Sequence, residues 1–167
     1  MSTTFVPAPR LVAPLLSLLA AAACALIIAP PLLAGAGHPG EAALVRLTFA
    51  PLCHQIPERT FHMLGVPLSV CARCTGVYAG VFLAFIAATF GMNALVLARR
   101  RAGAVLAAAA APSLLLLILS ASGLIPDAVV LRAVTGGILG LGTGACLVPA
   151  FEALCAELAL KPSPTGG

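Results

Sequence analysis

Four stretches of this chain run for about twenty residues or more with almost no charge, and no other feature constrains its fold as strongly. Crossing roughly 30 Å of hydrocarbon takes about 20 residues of helix, because each residue rises about 1.5 Å. Stretches of that size run from Leu11 to Ala34, from Thr75 to Ala98, from Ala104 to Ile125 and from about Ala128 to Leu154, the last with Arg132 inside it. In lipid every backbone N–H and C=O needs an internal partner, and four short spans cannot close a β-barrel, so the spans are expected to be helices.

Composition closes the other routes. Only 8% of the 167 residues are charged and 61% are hydrophobic, whereas a soluble domain carries about 25% charged residues. A mean hydropathy of +1.12 also excludes a disordered chain. The net charge of +4 does not mark a nucleic-acid partner, since the basic residues neither gather on one amphipathic face nor interleave with aromatics. The expected fold class is all-α: an integral membrane bundle of four transmembrane helices with an outer loop bearing Cys and His. Residues 1–10 form an N-terminal segment, residues 11–160 one transmembrane domain, and residues 161–167 a flexible tail.

Charge sets the expected orientation. Arg99, Arg100 and Arg101 sit in the short connection between the second and third spans, which the positive-inside rule holds in the cytoplasm. Both termini, with Arg10 and Lys161, then face the cytoplasm, while residues 35–74 and the turn at Pro126 and Asp127 face outward. The first span has a rival reading as a secretory signal cut near Ala34-Gly35-Ala36, against which its apolar run exceeds the roughly 7 to 15 residues of a signal core. Pro30-Pro31 is expected to end the first helix, and Pro112 to kink the third span or be accommodated by neighbours. Gly76 and Gly80, and Gly136, Gly140 and Gly144, recur every four residues, which puts each set on one helix face for close packing.

The chemistry concentrates in the outer loop. Between Cys53 and Cys74, 22 residues hold three of the six cysteines and two of the three histidines. Thiolate and imidazole are preferred ligands of zinc and related transition metals, and a Cys-x-x-Cys delivers two sulfurs from one turn of chain. Cys71 and Cys74 are the chelating pair, Cys53 a third ligand, and His54 or His62 the fourth. His62 is the geometrically freer of the two, because adjacent residues such as Cys53 and His54 seldom bind one ion together. Redox chemistry competes: outside the cytoplasm the pair can hold a reversible disulfide, with Arg73 favouring the thiolate, Cys53 exchanging, and a lipid-soluble quinone as electron partner. A plain structural disulfide from Cys53 is the third reading, and an accessory role beside a membrane-protein partner the fourth. Thr75 after Cys74 excludes a c-type haem. No phosphate-binding glycine loop, Ser-His-Asp set or HExxH motif is present.

Arg132 lies a turn or so inside the last span, where a cation opposes the helix dipole and is costly against lipid. It either snorkels to the headgroups or faces a polar interior, where Asp127, Glu58 or an anionic ligand is a candidate partner. The loop is expected to fold over the mouth of the bundle, so that Arg59, Arg73 and Arg132 line a polar pocket beside the cysteines, with Gln55, Glu58 and Asp127 nearby.

Cys-His-Gln-x-Pro-Glu-Arg-Thr-Phe at 53–61, followed by Pro-x-x-x-Cys-Ala-Arg-Cys-Thr-Gly-x-Tyr-x-Gly at 67–80, resembles the signature of a prokaryotic family of predicted membrane proteins. The family is called domain of unknown function two thousand and eighty-five. Asp127 and Arg132-Ala133-Val134-Thr135-Gly136 through Gly140 resemble its second pattern, and the likeness covers about residues 45–145. The resemblance implies a prokaryotic membrane protein, and with the four spans the expected location is the inner membrane, crossed several times. It groups Cys53, His54, Gln55, Pro57, Arg59, Cys71, Arg73, Cys74 and Arg132 together and adds no substrate.

Overall fold

The computed structural model describes residues 11–91, 101–125 and 128–160, the last three by backbone alone. Arg10, Arg99, Arg100, Pro126, Asp127 and Lys161 lie outside the described residues. The described chain contains five helices: α1 (Val12–Gly35), α2 (Pro39–Thr48), α3 (Ala72–Thr89), α4 (Ala102–Ala121) and α5 (Val129–Leu160). Four of them, α1, α3, α4 and α5, are long and apolar enough to cross a membrane. Their outward aliphatic residues, among them Leu15, Leu18, Leu19, Leu114, Leu115 and Ile118, are exposed, as a surface in contact with lipid tails requires. The protein is therefore an all-α, multi-pass membrane protein in contact with a bilayer.

The spans pack in the order α1, α3, α5, α4, with α3 and α5 as the most extensive pair. Their closeness comes from the spaced glycines. A Cβ added at Gly76 would overlap the Ala133 carbonyl oxygen, and one at Gly140 would overlap that of Val77. Backbone therefore lies directly against backbone, which maximises dispersion contact where no hydrophobic effect drives helices together. The α4–α5 contact is tied by the Ser113 hydroxyl, which donates to the Thr135 carbonyl oxygen at 3.0 Å.

Two sequence expectations give way here. Helix α1 does not stop at Pro30-Pro31 but continues to Gly35, with both prolines buried. A proline has no N–H for the carbonyl four residues earlier, so Pro30 and Pro31 release the oxygens of Leu26 and Ile27. Ser69 takes up both: its hydroxyl donates to Leu26 at 3.0 Å and its backbone N–H to Ile27 at 3.1 Å. Long-range partners of this kind allow proline inside a spanning helix. Helix α3 also starts at Ala72 rather than Thr75, so Arg73 and Cys74 belong to its first turn and not to the loop.

The loop between α1 and α3 is itself built. Pro39 and Glu41 favour the start of α2 and Arg46 its end, in keeping with proline at the first turn and with the helix dipole. A 3-10 turn, Pro57–Arg59, follows, and then a minimal hairpin pairing His62 with Pro67 and Met63 with Val66. Its two turn residues, Leu64 and Gly65, have φ of 55° and 77°, the left-handed pair that a tight hairpin turn demands. Ile27 of α1, with Phe49, Cys53, Leu68 and Val70 of the loop, forms a buried core under this cap. The ring of Tyr78 packs against it, edge-on to Phe49 with centroids 6.1 Å apart.

Candidate functional site

Two separate pieces of chain bring the three cysteines together. Helix α2 ends at Thr48, and the turn that follows lets the Cys53 N–H reach the Phe49 carbonyl at 3.0 Å. Gln55 is then held in the left-handed region at φ 50°, a conformation that costs a non-glycine residue about 1 kcal/mol or more and needs support. Its side-chain amide supplies that support by donating to the carbonyl oxygens of Arg46 and Ser69. Ser69, itself fixed on α1, delivers Val70, which is fully buried, and Cys71. Cys71 is the N-cap of α3, and Cys74 is the third helical residue. Cap and third positions face one another at a helix start, the geometry a capping box uses. The Cys-x-x-Cys spacing thus turns both sulfurs to one side.

The Sγ atoms of Cys53, Cys71 and Cys74 all lie within 4.8 Å of one another, close enough to hold one metal ion. Tetrahedral zinc with Zn–S near 2.3 Å needs sulfurs about 3.8 Å apart, so a small contraction brings them to coordination distance. Cys53 is buried, and its sulfur accepts a hydrogen bond from the Cys71 backbone N–H at 3.2 Å. Donation from the Cys74 thiol holds the Cys71 thiol down to about 5. Burial pulls the other way, and smaller donations from the Cys74 N–H, the Cys53 thiol and the Arg73 N–H reinforce the lowering. The positive end of α3 acts in the same sense. Cys24, Cys146 and Cys155 lie within the spans, outside this group.

Beside the sulfurs is a cavity of about 370 Å³, lined by Leu52, Cys53, His54, Gln55, Ile56, Arg59, Cys71, Arg73, Cys74 and Arg132. Arg132 is 7% exposed, so it turns into the protein and does not snorkel to the headgroups. The Nε and Nη2 atoms of Arg73 are buried with no hydrogen-bond partner. Donors left unsatisfied in this way cost about 1–3 kcal/mol each, and more when charged. Glu58 is exposed on the 3-10 turn and is not part of the lining, and Asp127 lies outside the described residues. His54 lines the cavity without joining the close sulfur group, while His62, exposed on the hairpin, belongs to neither.

Sequence reasoning passed over Ser69 and Arg46, which position Gln55 and the cysteines through backbone and hydroxyl groups. Ser69 carried one signal, as the lone hydroxyl between Val66 and Val70 just before the Cys-x-x-Cys. The Arg46 role uses only its carbonyl oxygen, which no side chain announces.

Four spanning helices capped by a cysteine-bearing loop define a multi-pass membrane protein with a sulfur cluster at one end of its bundle. The chain belongs to the family described as predicted membrane protein, DUF2085, whose model matches residues 53–146, more than half of it. That match begins at Cys53 and takes in the whole cluster. The chain is 46% identical over 43 residues to an uncharacterized protein of Methanothermobacter thermautotrophicus, covering 26% of this chain and 39% of the relative. It is 45% identical over 38 residues to another from Methanocaldococcus jannaschii, covering 23% of this chain and 24% of the relative. The chain thus spans well under half the length of either relative. No solved structure matches it.

Proposed function

We propose that this protein binds a transition-metal ion, zinc or one of similar preference, through Cys53, Cys71 and Cys74 at the outer face of a prokaryotic inner membrane. The observation that carries the reading is the convergence of three sulfurs from two distant segments within 4.8 Å. Three protein ligands leave a tetrahedral ion one position for water or substrate, and the cavity supplies the space for it. His54, on the cavity wall, is the candidate to close that position. Three thiolates on a divalent ion carry a net negative charge, which the neighbouring guanidinium groups offset. With the position open, the ion supplies Lewis-acid chemistry or is handed on. The domain limits at residues 11–160 and cytoplasmic termini complete the proposal, supported by alternation of the four spans and by the basic run at Arg99, Arg100 and Arg101.

A second reading, thiol–disulfide exchange coupled to a quinone, draws on the lowering of Cys71, since the thiolate is the attacking species. One preparation separates the two. Elemental and free-thiol analysis of purified protein is expected to give one metal ion per chain with reduced cysteines, and a loss of that ion in Cys71→Ser. A metal-free Cys71–Cys74 disulfide that quinol reduces would replace this reading with the redox one. Constant co-purification with another membrane protein, with neither chemistry, would support an accessory subunit. A reporter fused after His38 is expected to report the outer side.

A further inference from the structure

Helix α2 turns back beside α1. The His38 N–H, just before α2, meets the Leu33 carbonyl oxygen at 2.9 Å. At the other end of α2 the Gln55 amide bridges the carbonyl oxygens of Arg46 and Ser69, and Ser69 is bonded to Leu26 and Ile27. Phe49, just beyond α2, shares a buried core with Ile27 and meets Tyr78 well inside α3. The short helix therefore runs antiparallel to α1, from the end of that span back toward Ile27. Helix length sets the depth of this contact. At about 1.5 Å per residue α1 is about 36 Å long, against roughly 30 Å of hydrocarbon. Arg10, just before it in sequence, holds its other end at the surface. No more than about 6 Å of α1 can then rise clear at the cysteine end, whereas Ile27 lies about 12 Å short of Gly35.

We infer that residues 39–52 form a re-entrant segment immersed in the leaflet at the cysteine end, with Leu44, Leu47 and Leu52 against its acyl chains. These three side chains are 64%, 64% and 67% exposed, as open as the lipid-facing Leu19 at 67%. At about 100° per residue, Leu44 and Leu47 fall on the side of α2 away from the buried Ala42. The turn after α2 closes its backbone internally, as lipid demands. The Phe49 and Ala50 N–H groups donate to Arg46 and Leu47 at 3.1 Å, and the exposed Thr48 hydroxyl donates to the Val45 carbonyl oxygen at 2.7 Å. Charge is placed to match. Glu41 sits in the first turn of α2, nearest the water. Arg46 is half-buried, on the flank toward Ala42. Its Cα–Cβ bond tilts toward the start of the helix, here the membrane surface, which is the direction in which a long cationic side chain snorkels. Leu52 also lines the cavity beside the sulfurs, so one wall of the site rests against lipid.

The chain contains no tryptophan, so a single introduced one reports alone. Leu47→Trp and Leu52→Trp, each at an exposed position, are made in the full chain and reconstituted in phosphatidylcholine vesicles. They are compared with Leu19→Trp, within α1, and with Leu64→Trp, whose position lies against Gly35 at the end of α1. Lipid brominated along its acyl chains is expected to remove as much emission from L47W and L52W as from L19W, and far less from L64W. Iodide on both sides of the vesicles is expected to do the reverse. Leu44→Trp takes the place of L47W should that variant fail to fold. The inference is overturned if lipid quenching of L47W and L52W falls nearer to that of L64W than to that of L19W. Iodide then identifies what covers the segment instead: strong quenching puts it in water, and none puts a protein surface over it, a second copy of this chain above all. Every emission is read without added zinc, so either result leaves the metal reading standing.

Discussion

Cys71 is the residue at which geometry turns into reactivity. Its thiol is held down to about 5 chiefly by donation from Cys74, whereas a free thiol titrates near 8.5. In metal-free protein, alkylation of Cys71 by iodoacetamide is therefore expected to stay fast from pH 8 down to about pH 5 and to fall below it. An unperturbed thiol would instead slow about tenfold per unit throughout that window. The linkage has the same sign. A folded value below the unfolded one stabilises the fold fully above the unfolded value, and this contribution is lost as pH falls toward 5. The two histidines separate at this scale as well. His54 lines the cavity and His62 sits exposed on the hairpin. His54→Ala is expected to weaken metal affinity roughly tenfold and His62→Ala to leave it unchanged, by competition with a chromophoric chelator. Equal effects from the two would remove His54 as the candidate fourth ligand.

At the scale of elements, the site depends on how the loop is fastened to α1. Pro30 and Pro31 free two carbonyls, and Ser69 occupies both while also receiving Gln55. Ser69→Ala should cost about 1–3 kcal/mol of stability by orphaning the buried Leu26 oxygen. Pro30→Ala restores an N–H at residue 30 and makes the serine hydroxyl dispensable. The double variant is thus expected to lose less than the sum of the single losses, measured by a double-mutant cycle of thermal unfolding in detergent; strict additivity would contradict the coupling. This fastening is also where sequence ran short. Proline is legible as a helix breaker, but its rescue comes from a serine 43 residues beyond the freed Leu26 carbonyl, and no local pattern announces that. The start of α3 was hidden for a related reason. Cys71 takes the cap position without a side-chain hydrogen bond, so none of the usual Ser, Thr, Asp or Asn signals marks the boundary.

For the whole molecule, the four spans were legible because the bilayer imposes a length and excludes charge. The glycine spacing in α3 and α5 told which faces would meet. The cysteines were legible as a group, since metal ligands must be chemically distinctive. Which histidine lies near them was not, because a two-residue hairpin turn at Leu64 and Gly65 decides where His62 goes. The resulting arrangement joins a rigid pair of glycine-packed helices to a cap anchored on α1, and the sulfurs lie where the two meet. Such a site is preorganised by elements that would be stable without an ion, so metal loss is expected to leave the spans intact. The most direct test is X-ray absorption at the zinc edge of the purified, reduced protein. The account predicts three sulfur neighbours near 2.3 Å and one lighter nitrogen or oxygen neighbour. A shell of nitrogen and oxygen alone, or zinc-free protein that takes up none when zinc is supplied, would contradict it.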